Sequence, residues 1–299
     1  MDVLLLGGSG QLGRHLEASA PAAVRLSIPA RHELDLTSER SLANGLDALA
    51  PDLVINAAAF TAVDRAEAEP EAAFAVNAEG PRRLARQLAA GGCRLIQLST
   101  DFVFDGSSPA PYRPDDPPAP LNVYGASKLA GERAVLEQLG ERALVVRTSW
   151  LYSAHRSNFV RTMLRALGER DEVRVVTDQV GSPTWAANLA AAIWRWALQG
   201  APSCGRRHWA DAGVASWYDF AVAICDDAVA AGLLVDPGRV VPIPTAEFPT
   251  AARRPRQSAL DAAASRDELG LEPEHWRRAL RRMLATSPDA AALRNPAAG

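Results

Sequence analysis

The segment Gly7-Gly8-Ser9-Gly10-Gln11-Leu12-Gly13 constrains this chain more than any other. It stands directly between an apolar run, Val3–Leu6, and an amphipathic stretch, Gln11–Ala20, so it has to turn a strand into a helix at once. Glycine permits the tight turn and lets another backbone or a ligand approach the uncovered amides. The free N–H groups of the first helical turn then face whatever lies over the loop, which favours a pyrophosphate. Gly7, Gly10, Gln11, Leu12 and Gly13 are therefore the residues expected to hold a dinucleotide.

The rest of the first half keeps the same rhythm. Apolar runs at Val24–Ile28, Leu53–Asn56, Arg94–Ser99 and Ala143–Arg147 alternate with helical patterns at Ser38–Leu49, around Pro81–Ala90 and from about Ala126 to Leu139. Runs without polar alternation suit strands covered on both faces, so the expected fold is α/β, a doubly wound parallel sheet of Rossmann type. Ser107–Pro120 carries six prolines and reads as a surface loop. Beyond Trp150 the pattern loosens, with helices near Phe159–Leu167, Ala186–Leu198, Trp217–Ala231 and His275–Leu284 and turns over Pro242–Pro255. Residues 1–150 are expected to form the dinucleotide-binding domain and 151–299 a smaller mixed α/β substrate lobe, with segments around 172–200 returning to the sheet. The tail Ser287–Gly299 is expected to fray.

Composition narrows the functional classes. At 299 residues, with 48% hydrophobic and 22% charged side chains, the chain can bury a large core, and it has no apolar run long enough for a membrane span. The N-terminus lacks a basic segment before its apolar run, which points to a cytoplasmic enzyme. Cys93, Cys204 and Cys225 share no metal-ligand spacing and read as free thiols. A net charge of −3 excludes a general attraction to nucleic acid but leaves room for a small anionic substrate held by local arginines.

Tyr124 and Lys128 stand four residues apart at the start of a helix, hence on one face. A cation near the phenol is expected to lower its pKa, so that Tyr124 can give a proton to a carbonyl oxygen as hydride reaches the carbon. The third member has to come from the carboxyl end of the preceding strand, which reads Leu95-Ile96-Gln97-Leu98-Ser99-Thr100-Asp101. Thr100 is the expected hydroxyl for the reacting oxygen, Ser99 a structural hydroxyl, and Asp101 either a substrate contact or a turn cap. The small residues of Asn56-Ala57-Ala58-Ala59 would let a cofactor lie against the backbone. No acidic residue follows Ser27-Ile28-Pro29-Ala30, where one would bind the adenosine ribose. Arg31 stands there instead and favours NADPH over NADH.

At these residues the chain resembles the dTDP-4-dehydrorhamnose reductase family of extended short-chain dehydrogenases. The likeness runs through Gly7–Gly13, Glu33-Leu34-Asp35-Leu36-Thr37, Thr61-Ala62-Val63-Asp64, Ser99 to Gly106, Pro120 to Lys128, Arg147-Thr148-Ser149-Trp150, Asp178 to Thr184 and Arg253-Arg254-Pro255. It implies an oxidoreductase of carbohydrate biosynthesis that reduces the C4 ketone of dTDP-4-dehydro-β-L-rhamnose with NADPH, NADH being the alternative reductant. It further implies Asp35 and Leu36 at the adenine, Ala58, Ala59 and Thr61 along the cofactor, and Thr100, Asp101 and Trp150 at the sugar nucleotide. Arg254 suits the diphosphate as a planar cation, or forms a structural salt bridge.

Two other readings share the scaffold. One is a sugar-nucleotide epimerase or dehydratase, for which Asp101 partly supplies the acid; the residues after it favour the reductase. The other is a regulatory subunit related to that of methionine adenosyltransferase, which the retention of Tyr124 and Lys128 disfavours. Some members of the family join subunits through magnesium held by acidic residues. At the matching places this chain has His15 and Asn188, so no metal and either a monomer or a metal-independent dimer are expected.

Overall fold

The apolar runs of the first half become neighbouring strands, and the amphipathic stretches between them become the helices that cover them. The computed structural model describes residues 1–199 and 203–285; the tail Ser287–Gly299 lies outside the described residues. The first half runs β1 (Asp2–Leu6), α1 (Gln11–Ala18), β2 (Arg25–Ser27), α2 (Glu39–Leu49), β3 (Leu53–Asn56), α3 (Val63–Ala68), α4 (Pro70–Phe74), α5 (Gly80–Ala89), β4 (Arg94–Thr100), α6 (Val123–Leu139) and β5 (Ala143–Thr148). The second half adds β6 (Leu151–Tyr152), α7 (Phe159–Glu169), β7 (Glu172–Val176), β8 (Val180–Gly181), β9 (Thr184–Trp185), α8 (Ala186–Leu198), β10 (Gly205–Trp209), β11 (Ala215–Ser216), α9 (Trp217–Ala230), β12 (Arg239–Ile243), α10 (Ala263–Leu269) and α11 (Trp276–Ala285).

The main sheet has six parallel strands in the order β10-β5-β4-β3-β1-β2. One face packs Leu4, Val54 and Leu95 against Leu42 of α2, Leu84 of α5 and Val135 of α6. The other packs Leu5, Ile55, Ile96 and Val146 against Leu16 of α1 and Ile193 of α8. Both faces are thus dry, which is why the strands read as unbroken apolar runs, and the fold is the expected doubly wound one. Strand order reverses between β1 and β3, and a ligand crevice opens at the carboxyl ends of strands flanking such a switch.

A second core gathers Val160 and Met163 of α7, Phe220 and Ile224 of α9, and Leu280 and Met283 of α11 over Val173 and Val175 of β7. The segment around 172–200 is divided between the two cores: α8 covers the main sheet, whereas β7 pairs with β12 beside the second. The chain also returns through β10, which extends the sheet next to β5.

Local chemistry accounts for the departures from expectation. Helix α6 begins before Ala126 because the Asn122 side chain caps it. Pro242 was expected in a turn but lies in β12 opposite Val175; a two-stranded sheet consists of edges, where proline is tolerated. The proline-rich loop is pinned at Tyr112, which is buried, bridges Leu260 and stacks on Phe104 at 4.1 Å. Among the described residues no helix is long and apolar enough to cross a membrane, and the three cysteines are free.

Candidate active site

The glycine loop forms one wall of a cleft of about 890 Å³ at the carboxyl ends of β1 and β3. Gly7 has φ +85°, and a Cβ on it would lie 2.6 Å from the Ala58 nitrogen, so only glycine admits this contact between the two strand ends. No side chain caps α1, which leaves its first amides for a ligand. Of the expected cofactor residues, Gly7, Gly10, Arg31, Asp35, Leu36, Ala58, Ala59 and Thr61 line this one cleft.

Gln11 and Leu12 turn their side chains elsewhere. Leu12 is buried in the core, Gln11 Oε1 accepts from Asn158 Nδ2 at 2.9 Å, and Gly13 packs against Gly7 and Gly8, so these three do not line the cleft. Arg31 is largely exposed and lies 3.8 Å from the Asp35 carboxylate. Asp35 accepts from the amide and hydroxyl of Thr37, and these bonds, with Arg31, hold it below the usual carboxylate range. Arg14 and Arg65 line the same cleft and were missed, since a lone arginine carries no motif, and Thr37 of the Glu33–Thr37 segment joins them.

At the end of β4 the expected constellation assembles. Asn122 Oδ1 accepts from the Gly125 amide at 2.8 Å, and its Nδ2 donates to the Arg253 carbonyl at 2.8 Å. Gly125 packs so closely on the turn after β4 that a Cβ would lie 2.1 Å from the Phe102 carbonyl oxygen. This approach brings the Tyr124 phenol beside Thr100, its ring edge-on to Phe102 at 6.0 Å. The Thr100 hydroxyl accepts from the Phe102 amide at 3.2 Å and lies in hydrogen-bond contact with Asp101 Oδ1 at 2.9 Å. Asn77 ties the cleft wall to the same helix, accepting from the Phe60 amide at 2.9 Å and donating to the Ser127 hydroxyl at 3.0 Å.

The expected lowering of the phenol does not occur. Burial pushes Tyr124 up to about 12, against the pull of Thr100, while Lys128 is turned to the sheet and donates to the Leu98 carbonyl at 2.6 Å. Burial brings Lys128 down to about 8, opposed by Glu132. A phenol with so high a pKa holds its proton at neutral pH, the state a proton donor needs. Asp101 is 2% exposed and burial raises it to about 7, while its Oδ2 has no hydrogen-bond partner among the described residues. Ser99 is structural, its hydroxyl donating to Glu132, which is paired in the core with Arg147 at 2.7 Å.

The family described as RmlD substrate binding domain matches residues 1–288. A dTDP-4-dehydrorhamnose reductase of Burkholderia thailandensis is 41% identical over 294 residues, spanning 94% of this chain and 97% of the relative. The chain belongs to the dTDP-4-dehydrorhamnose reductase family. Among solved members, that of Clostridium acetobutylicum has a TM-score of 0.88 at 34% identity, covering 94% of this chain and 98% of the other. That of Bacillus anthracis, in complex with NADP, has a TM-score of 0.87 at 36% identity, covering 94% and 97%.

Of the remaining residues that the dTDP-4-dehydrorhamnose reductase family implied, Arg254 sits at a second opening. Arg254 lines a cleft of about 760 Å³ with Arg253, Arg256, Gln179 and Phe248. Its guanidinium is held by Asp64, with Nη2 donating to Oδ2 at 2.7 Å and Nη1 to Oδ1 at 3.2 Å, so the salt-bridge reading is part of its role. Arg256 and Phe248 were missed, because what joins them to the site is the return of a distant segment to α6 through the bond from Asn122 to Arg253. Trp150 follows β5 in a left-handed conformation, φ +45°, and stacks on Trp217 at 3.5 Å.

Proposed function

We propose that this chain reduces the C4 ketone of dTDP-4-dehydro-β-L-rhamnose to dTDP-L-rhamnose, the last step of dTDP-rhamnose synthesis. The observation that carries the reading is the placing of the Tyr124 phenol beside Thr100 at the end of β4, one strand away from the glycine-walled cleft. NADPH supplies the hydride when bound. The cleft fits a dinucleotide, since the contact at Gly7 leaves no room for a side chain and the amides of α1 are uncapped. In this reading Gly7, Gly10, Gln11, Leu12 and Gly13 present backbone to the pyrophosphate, and Arg31 faces the 2′-phosphate. Asp35 and Leu36 flank the adenine, and Ala58, Ala59 and Thr61 border the rest.

Tyr124 holds the proton that the C4 oxygen receives, Thr100 hydrogen-bonds that oxygen, and Lys128 supplies positive charge as the phenolate forms. General-acid catalysis of this kind contributes about 10²–10⁴-fold. Asp101 and Trp150 border the sugar. Arg254, steadied by Asp64, joins Arg253 and Arg256 at the diphosphate, where planar cations suit phosphate oxygens. The reaction needs no divalent metal, and the chain acts as a monomer or as a dimer built without one. The names of the relatives and the NADP complex of the Bacillus anthracis enzyme support the reading.

The test is direct. The protein is mixed with NADPH and dTDP-4-dehydrorhamnose and the absorbance of the reduced nicotinamide is followed, with the product identified by nuclear magnetic resonance. Loss of absorbance with formation of dTDP-L-rhamnose is expected. No oxidation of NADPH, or conversion of the sugar without it, would overturn the proposal.

A further inference from the structure

A threonine hydroxyl has one hydrogen to give and two lone pairs with which to receive. At Thr100 the Phe102 amide occupies one lone pair at 3.2 Å, and Asp101 Oδ1 lies 2.9 Å away on another side. If Asp101 is ionised, both its oxygens only accept, and the Thr100 hydrogen must go to it. Nothing is then left to donate to Tyr124 or to a ketone oxygen. If Asp101 instead carries a proton on Oδ1, it donates into the second lone pair of Thr100. The Thr100 hydrogen is then free for the neighbouring Tyr124 phenol or a ketone oxygen.

Burial favours the second arrangement. Asp101 is 2% exposed, and its Oδ2 has no hydrogen-bond partner among the described residues. A carboxylate with a buried, unpartnered oxygen carries a desolvation cost that the neutral acid escapes. Among the described residues the groups that face it supply no cation: Thr100 on β4, the Tyr124 phenol on α6 and the Ser258 hydroxyl; the Ser258 and Thr100 hydroxyls and the local backbone favour the ionised form, but burial outweighs them. Lys128, further along α6, is turned to the Leu98 carbonyl, and Glu132 to Arg147.

We propose that Asp101 works as an un-ionised acid, a positioning residue that donates to Thr100 and so aims the single Thr100 hydrogen at the reacting oxygens. The kinetic consequence rests on the reductase reading; the protonation state does not. As Asp101 ionises, Thr100 turns back to it and the site loses a donor. Asp101 is raised from the usual carboxylate range to about 7, so activity is full below that pH and falls as pH rises through it. This fall precedes the loss of the Lys128 charge near 8.

Two measurements test this. The pH profile of kcat/KM is compared for the wild type, Asp101→Asn and Asp101→Leu, with NADPH affinity and circular dichroism reporting that each variant is folded. The amide of asparagine donates to Thr100 as the neutral acid does but does not titrate. Asp101→Asn is therefore expected to shift the alkaline fall upward toward that of Lys128. Asp101→Leu leaves the Thr100 hydrogen without the group that aims it and is expected to lower kcat by about tenfold, the worth of one hydrogen bond, with asparagine recovering most of it. An alkaline fall that stays in place in Asp101→Asn overturns the proposal, as does equal activity of the asparagine and leucine variants.

Independently, difference infrared spectra of the free protein are expected to show the carbonyl stretch of an un-ionised carboxyl group that vanishes through about pH 7 and is absent from Asp101→Asn. Absence of that band from the wild type overturns the proposal whatever the activity. A wild type without reductase activity would sink the functional reading alone, and the band would still decide the state of Asp101.

Discussion

The ammonium of Lys128 lies 2.6 Å from the Leu98 carbonyl oxygen, turned toward the sheet rather than against the phenol one helical turn before it. In the proposed reaction Lys128 would therefore act on Tyr124 only through its field, with the phenol keeping its proton until a ketone oxygen takes it. Tyr124→Phe is expected to lower kcat by about 10²–10⁴-fold while the dissociation constant for NADPH, measured by fluorescence titration, changes little. Near-normal turnover would remove Tyr124 from the reaction.

Cofactor choice turns on a charge pair. Arg31 stands 3.8 Å from Asp35, so part of its charge is answered within the protein, and both side chains meet solvent. A preference for NADPH is expected in kcat/KM, modest because exposed pairs are weak. Arg31→Ala is expected to reduce that preference several-fold without changing kcat with NADH. An enzyme as efficient with NADH as with NADPH would exclude Arg31 as a phosphate ligand.

The buried pair Glu132–Arg147 ties α6 to β5, with side chains 0% and 1% exposed. Glu132→Gln leaves the guanidinium unpaired in the core, and a loss of about 3–5 kcal/mol in denaturant unfolding is expected. Beside the pair, burial lowers His208 from 6.5 to about 3, with the Arg147 charge adding to the shift. The unfolded chain then binds the proton that the folded one refuses, so this contribution to stability is present above pH 6.5 and is lost as pH falls toward 3. A His208→Gln variant is expected to show a shallower acid loss.

Gly181 leaves no space beside Trp150: a Cβ there would lie 2.4 Å from Trp150 Cε2, while Trp217 covers the ring at 3.5 Å. Gly181→Ala has to displace the indole. The KM for the sugar nucleotide is expected to rise and that for NADPH to stay the same. Parallel changes in both constants would place Trp150 away from the sugar.

Magnesium is expected to be irrelevant to activity and assembly. Asn188 donates to Asp211 Oδ1 at 2.9 Å and to Glu274 Oε2 at 3.1 Å, and burial lowers His15 to about 4, so neither presents a carboxylate oxygen to a hard cation. Sedimentation and assays with and without chelator check this; a dimer that chelator dissociates would contradict it.

Much of this protein is local in sequence and could be read there. The glycine loop, the apolar runs and the spacing of Tyr124 and Lys128 on one helix face depend on backbone conformations and periodicities set within a few residues. Contacts across long separations were not legible: Arg254 meets Asp64 from 190 residues away, and β10 returns to a sheet begun at the other end of the chain. The electrostatics were least legible of all. Motif spacing placed Lys128 near Tyr124 and suggested a lowered phenol pKa, but burial raised it to about 12. Local spacing pointed to Thr100, Tyr124 and Lys128, whereas their protonation, and the arginines that join from distant segments, follow from the fold, because desolvation depends on everything packed around a group rather than on its neighbours in the chain.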